Sequence, residues 1–109
     1  DGGWAQTRYL DSDAYATGLV LHTLYASGLT TPDAPAYQKG IRFLLRTQFP
    51  DCSWYVRSRA PKFQPYFQSG FPFDHDQWIS STGTAWAAMA LAPAASASAQ
   101  SADRRSGPF

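Results

Sequence analysis

The stretch KGIRFLLRTQFPDCSW, residues 39–54, decides how the rest of the chain is read. Its first part has helical spacing and stops at Gln48; an acidic turn follows, and Trp54 closes it. A helix leaves its last carbonyls unpaired, and a glutamine there can pair with backbone groups through its amide. A tryptophan returning from the turn can cover that amide and shield it from water. The expected result is a staple between the end of one helix and the start of the next. The landmark also occurs earlier: DGGW at residues 1–4 matches DCSW at residues 51–54. Two copies at a period of about fifty residues predict a repeat protein.

Three helices are expected around this landmark, near residues 12–27, 34–48 and 80–92. The first, DSDAYATGLVLHTLYASGL, can be capped by Asp11 or Ser12, whose side-chain oxygens accept an orphan backbone N–H, and Gly28 ends it in the left-handed conformation. Tyr15, Leu19, Val20, Leu21, Leu24 and Tyr25 leave it almost no polar face, so burial on all sides is expected. The second begins at TTPDAPAYQKG, with Pro32 and Pro35 in a first turn that needs no N–H from them. Its stripe of Tyr37, Ile41, Leu44 and Leu45 opposes Lys39, Arg42 and Arg46, which predicts an outer, half-exposed helix. The third, STGTAWAAMALA, is again apolar all round. Aligning Leu24 with Leu91 superposes Thr17 on Thr84, which leaves about seventeen extra residues in the second copy. Those residues, in YVRSRAPKFQPYFQSGFPFDHDQW, read as a long aromatic-rich structured loop. From Pro93 to Phe109 the alanine- and serine-rich text reads as a disordered tail, leaving one domain over residues 1–92.

Composition narrows the function classes. The 109 residues carry a net charge of +1 with no basic stripe, so nucleic acid is not an expected partner. Apolar runs are too short to span a bilayer. The single Cys52 excludes an internal disulfide. With no initiator Met and an opening inside a repeat landmark, the expectation is a piece of a longer polypeptide.

Lys39, Gly40, Phe43, Leu44, Gln48 and Trp54 together resemble the QW repeat of squalene–hopene and oxidosqualene cyclases and the related prenyltransferase repeat. Cys52 stands where that motif usually has glycine. DGGW, with Trp4, looks like the tail of a preceding motif, and FQPYFQSGFPFDHDQWIS is similar to the end region of bacterial squalene-cyclase-like proteins. The resemblance covers residues 1 to about 92. It implies an all-α fold, an α/α toroid of inner and outer helices completed by further repeats. It further implies an apolar isoprenoid or lipid ligand, cyclisation of a polyene (an isomerase-type reaction) if the protein is active, and peripheral association with a membrane or bacterial envelope.

The resemblance also supplies candidate site residues. Cyclases of this class protonate an alkene with an Asp-x-Asp-Asp motif before an inner helix; Asp11 and Asp13 match its first two acids, Asp13 being the donor, and Ala14 replaces the third. The competing role is helix capping, which is the favoured one. Among the aromatics, Tyr15 and Trp86 on inner helices, with Tyr66, Phe67, Phe71 and Trp78, could line a cavity whose ring faces stabilise cationic carbon. Tyr9, Tyr55, Phe63 and Phe73 complete the set. Asp74, His75 and Asp76, with Cys52 and His22, lack the spacing of a local zinc site, so no metal and no cofactor is expected. Arg57, Arg59 and Lys62 could meet a diphosphate, against the default of a solvated loop edge. Two functions remain open: a piece of a terpene cyclase, or a non-catalytic toroid module that binds a lipid or protein partner.

Overall fold

The computed structural model describes residues 1–59 and 69–105. Helix α1 spans Ala14–Ala26, α2 spans Pro35–Thr47 and α3 spans Gln77–Arg105, with a 3-10 turn at Asp74–Asp76 leading into α3. The described residues contain no strand, so the chain is all-α as expected.

Local chemistry explains the boundaries. The cap of α1 is Asp13, not Asp11 or Ser12: its backbone is extended and its carboxylate accepts the Ala16 N–H, at 2.7 Å. Ser12 is engaged elsewhere, donating to Asp1. At the other end Gly28 takes φ +77°, and the N–H groups of Gly28 and Leu29 return to the carbonyls of Tyr25 and Leu24. Helix α2 starts with Pro35 in its first turn and no side-chain cap. Its Lys39, Arg42 and Arg46 are exposed as the pattern predicts, but Leu45, assigned to the buried stripe, is 56% exposed. The stripe closes through Gly40 and Phe43 instead.

Helix α3 departs most from expectation. It begins three residues early and runs through Pro93 to Arg105, across much of the segment read as a disordered tail. Pro93 lacks the N–H that would reach the Met89 carbonyl, yet the alanines around it have the highest helix propensity of any residue, and a helix already nucleated adds residues cheaply. Residues 106–109 lie outside the described residues.

Helices α1 and α3 run parallel in close contact. A Cβ on Gly18 would sit 2.5 Å from the Trp86 carbonyl carbon and 2.6 Å from the Ala87 nitrogen, and one on Gly83 would lie 3.4 Å from the Tyr15 nitrogen. Helix α2 crosses both in the opposite direction. Its early residue Tyr37 donates to the Ala90 carbonyl late in α3 at 2.6 Å, Gly40 packs on Leu21 and Trp4, and Phe43 meets Gly3. The core between the three helices is Ala14, Leu21, Tyr37, Ile41, Phe43, Leu44, Trp54, Val56, Ala87 and Ala90.

The inner helices are not buried on all sides. Leu19, Val20 and Leu24 are only half-buried, and Tyr25, Trp78 and Met89 are exposed at 42%, 59% and 40%. One outer helix can cover only one face of each inner helix.

Candidate functional site

The repeat read from the sequence is a repeat of geometry. Asp1 accepts the Gly3 N–H at 2.9 Å, and Asp51 accepts the Ser53 N–H at 3.0 Å. Between them Gly2 has φ +90° and Cys52 has φ +70°. The tight turn thus forms in both copies, although Cys52 bears the strain of a left-handed conformation that glycine avoids. The tryptophan that ends each turn is clasped by a threonine on the following inner helix. Thr17 Oγ1 accepts from the Trp4 N–H at 2.8 Å and donates to the Trp4 carbonyl at 3.3 Å. Thr84 does the same for Trp54, at 3.0 and 3.4 Å. A hydroxyl can do both because it is donor and acceptor at once. Thr17→Val and Thr84→Val remove the clasp without changing the shape. Each is expected to lower stability by about 1–3 kcal/mol by leaving the tryptophan N–H unpaired. The two costs should agree within about 1 kcal/mol in urea melts.

At the junction of α2 and the second turn the expected staple exists with different bonding. Trp54 is 2% exposed, and its indole N–H itself donates to the Leu44 carbonyl at 2.8 Å. Gln48 does not pair a helix carbonyl; its amide donates to the Cys52 carbonyl at 3.2 Å and holds the turn. Lys39 is exposed; Gly40, Phe43 and Leu44 are in the buried contact.

Asp13, the candidate proton donor, has both oxygens occupied. Oδ1 accepts from the Ala16 N–H and Oδ2 from the Gln6 amide, each at 2.7 Å. The alignment of Thr17 with Thr84 brings Ser80 to the place of Asp13, and that of Trp4 with Trp54 brings Val56 to the place of Gln6. Ser80 Oγ accepts the Val56 N–H at 2.8 Å and donates to the Val56 carbonyl at 3.1 Å. In both copies this position ties the segment after the tryptophan to the start of an inner helix. Asp11 is exposed and forms no hydrogen bond to Asp13.

Beside them lies a cleft of about 270 Å³, lined by Asp11, Asp13, Phe43, Trp54, Arg57 and Arg59 among others. Its charged rim and small volume do not match the apolar enclosure that a long polyene needs.

The candidate aromatics do not form one wall among the described residues. Phe71 joins a loop cluster in which Phe73 meets Phe49 edge-on at 5.0 Å and Tyr55 at 5.4 Å, with Phe71 itself 6.3 Å from Phe73. Tyr15 and Trp86 are half-buried at the seam of α1 and α3. There Trp86 lies 5.5 Å from the His22 ring, whose Nδ1 is buried without a hydrogen bond. Trp78 points outward. Phe63, Tyr66, Phe67 and Lys62 lie outside the described residues.

The acidic loop has a structural use that the sequence reading missed. Asp76 accepts from the Tyr55 hydroxyl at 2.7 Å and from the Ser58 N–H at 2.9 Å. The bond to Asp76 first, then burial, raises the Tyr55 pKa above its ordinary value. Gln77, fully buried, accepts from the Ser69 backbone N–H and hydroxyl and donates to the Asp74 carbonyl. Both residues anchor the long loop on the start of α3; the signal for them was a glutamine placed before an apolar helix. Asp51 is held below the usual carboxylate range by the Ser53 hydroxyl and then the Ser53 N–H. Burial raises the Tyr37 hydroxyl, with Tyr25 a smaller cause. Among the described residues no three His, Cys, Asp or Glu side chains are grouped so as to hold a metal ion, and no helix is long and apolar enough to cross a membrane.

Comparison of the chain with protein-family models, with curated proteins and with solved structures returned no match.

Proposed function

We propose that the chain is part of an α/α toroid of the terpene-cyclase and prenyltransferase-repeat kind, and that its inner helices help to hold an apolar isoprenoid or lipid without cyclising it. Two parallel inner helices crossed by an antiparallel outer one, with the same turn and clasp repeated, support the toroid. The half-buried Tyr15, Leu19 and Trp86 and the exposed Met89 support an apolar ligand along the inner helices. The observation that carries the non-catalytic reading is Asp13. An acid that protonates an alkene must present an O–H to the substrate, whereas both oxygens of Asp13 are acceptors of N–H bonds.

The test is incubation of the chain with detergent-dispersed squalene, followed both by tryptophan fluorescence and by product analysis. Saturable quenching that Trp86→Phe diminishes is expected, with no cyclised product. No saturable change would sink the ligand reading. A cyclised product formed by the wild type and lost in Asp13→Asn, a substitution that keeps a good cap, would replace it with the cyclase reading.

A further inference from the structure

The cleft beside Asp13 carries charges that the fold does not use. The segment entering α1 supplies Asp11 to its lining, and the segment after Trp54 supplies Tyr55, Arg57 and Arg59. Asp13 is spent on the Ala16 N–H and the Gln6 amide, and the Tyr55 hydroxyl on Asp76. Asp11, Arg57 and Arg59 are exposed, and among the described residues none of the three enters a hydrogen bond or an ion pair. Both guanidiniums act on the Tyr55 hydroxyl, where they oppose part of the rise that Asp76 causes, so they stand on the Tyr55 side of the cleft. Phe43 and Trp54, held in the core, contribute the apolar part of the lining. Charges set against such a wall are screened less than charges on an open surface.

From this we infer that the cleft binds a small zwitterion of the α-amino acid kind. Arg57 and Arg59 take its carboxylate, Asp11 takes its ammonium, and a short apolar side chain rests against Phe43 and Trp54. The guanidinium fork matches the two oxygens of a planar carboxylate, and an ammonium has only donors to offer a carboxylate such as Asp11. A plain anion would gain from the arginines but meet the like charges of Asp11 and Asp13, and a plain cation would meet the reverse. Only a molecule with both signs satisfies both sides. The volume of about 270 Å³ lies just below the range of about 300–1,000 Å³ that holds drug-sized ligands, which suits a single amino acid. The inference is independent of the apolar-ligand reading, because none of Tyr15, Leu19, Trp86 and Met89 lines this cleft.

Titration of the whole chain, followed by its amide chemical shifts, tests this with matched probes. They are L-valine, isovalerate, which lacks the ammonium, and isobutylamine, which lacks the carboxylate. Saturable shifts are expected with L-valine at the residues lining the cleft. Each single-charge probe should bind about fivefold more weakly, the upper end for an ion pair open to water. Asp11→Asn should bring L-valine down to the level of isovalerate, and the double change Arg57→Gln with Arg59→Gln should bring it down to that of isobutylamine. These side chains are exposed, so the variants should keep the wild-type fold, which circular dichroism checks. If a variant unfolds, the three probes on the wild type decide. L-valine that binds no better than either single-charge probe overturns the inference. Inorganic phosphate that binds more tightly than L-valine, and keeps its affinity in Asp11→Asn, overturns it too, because it shows a plain anion site. The absence of any saturable shift with L-valine likewise overturns it.

Discussion

Replacing Trp54 with alanine is expected to lower the unfolding free energy by about 3–5 kcal/mol, the range for emptying a buried aromatic site. The side chain is 2% exposed in the core, and its indole N–H supplies the partner of the Leu44 carbonyl in the last turn of α2. Trp54→Phe keeps most of the apolar area and leaves that carbonyl only the longer bond from the Thr47 hydroxyl, at 3.4 Å, which should cost about 0.5–1.5 kcal/mol. The Trp54 backbone bonds to Thr84 survive both changes, so they separate packing from the cap. Gln48→Ala removes the bond to the Cys52 carbonyl and should cost less, because Gln48 is only partly buried. Since Gln48 shapes the turn that delivers Trp54, the two losses should couple by about 0.5–3 kcal/mol in a double-mutant cycle. Denaturant melts in which the two losses simply add would show that turn and cap act separately.

Gly18→Ala is expected to destabilise the protein by about 1–3 kcal/mol, although alanine is the better helix former by about 1 kcal/mol. The new methyl would meet backbone atoms of Trp86 and Ala87 at 2.5 and 2.6 Å, and backbone inside a helix cannot rotate away. Helix α3 would have to shift as a unit, pulling Thr84 from Trp54 and Ser80 from Val56. Gly83→Ala is the informative control. Its methyl meets the Val56 Cγ2 at 2.6 Å, the end of a side chain and not the backbone of a helix, and so it should cost less even though Val56 is buried. Equal effects at the two positions in urea melts would mean that the helix seam is softer than its geometry implies.

Much of the fold was legible in the residues because its signals are local. The left-handed turn needs Gly2 or a strained Cys52 after an aspartate. The ends of α1 need a capping side chain and Gly28, and the stripe of α2 needs only the helical period. The match of Thr17 to Thr84 came from text alone, and the clasp it marks is present in both copies. Other features depend on what lies opposite a residue in space. An apolar helix does not say which of its faces will be covered, so Leu45, Tyr25 and Met89 were expected inside and are exposed. Which of three neighbouring oxygens caps α1 depended on the Gln6 and Asp1 side chains brought there by the turn, and Asp13 became the cap. Alanine and serine between prolines look the same in a tail as in a helix, and α3 continues through them because the packed turns before Pro93 had already met the cost of starting it. The sequence alone established helices, turns and their repetition, each of which is decided within a few residues. Tertiary structure alone decided that the tryptophan caps the helix, that Asp76 and Gln77 anchor the loop, and which faces stay open, because each depends on atoms far apart along the chain.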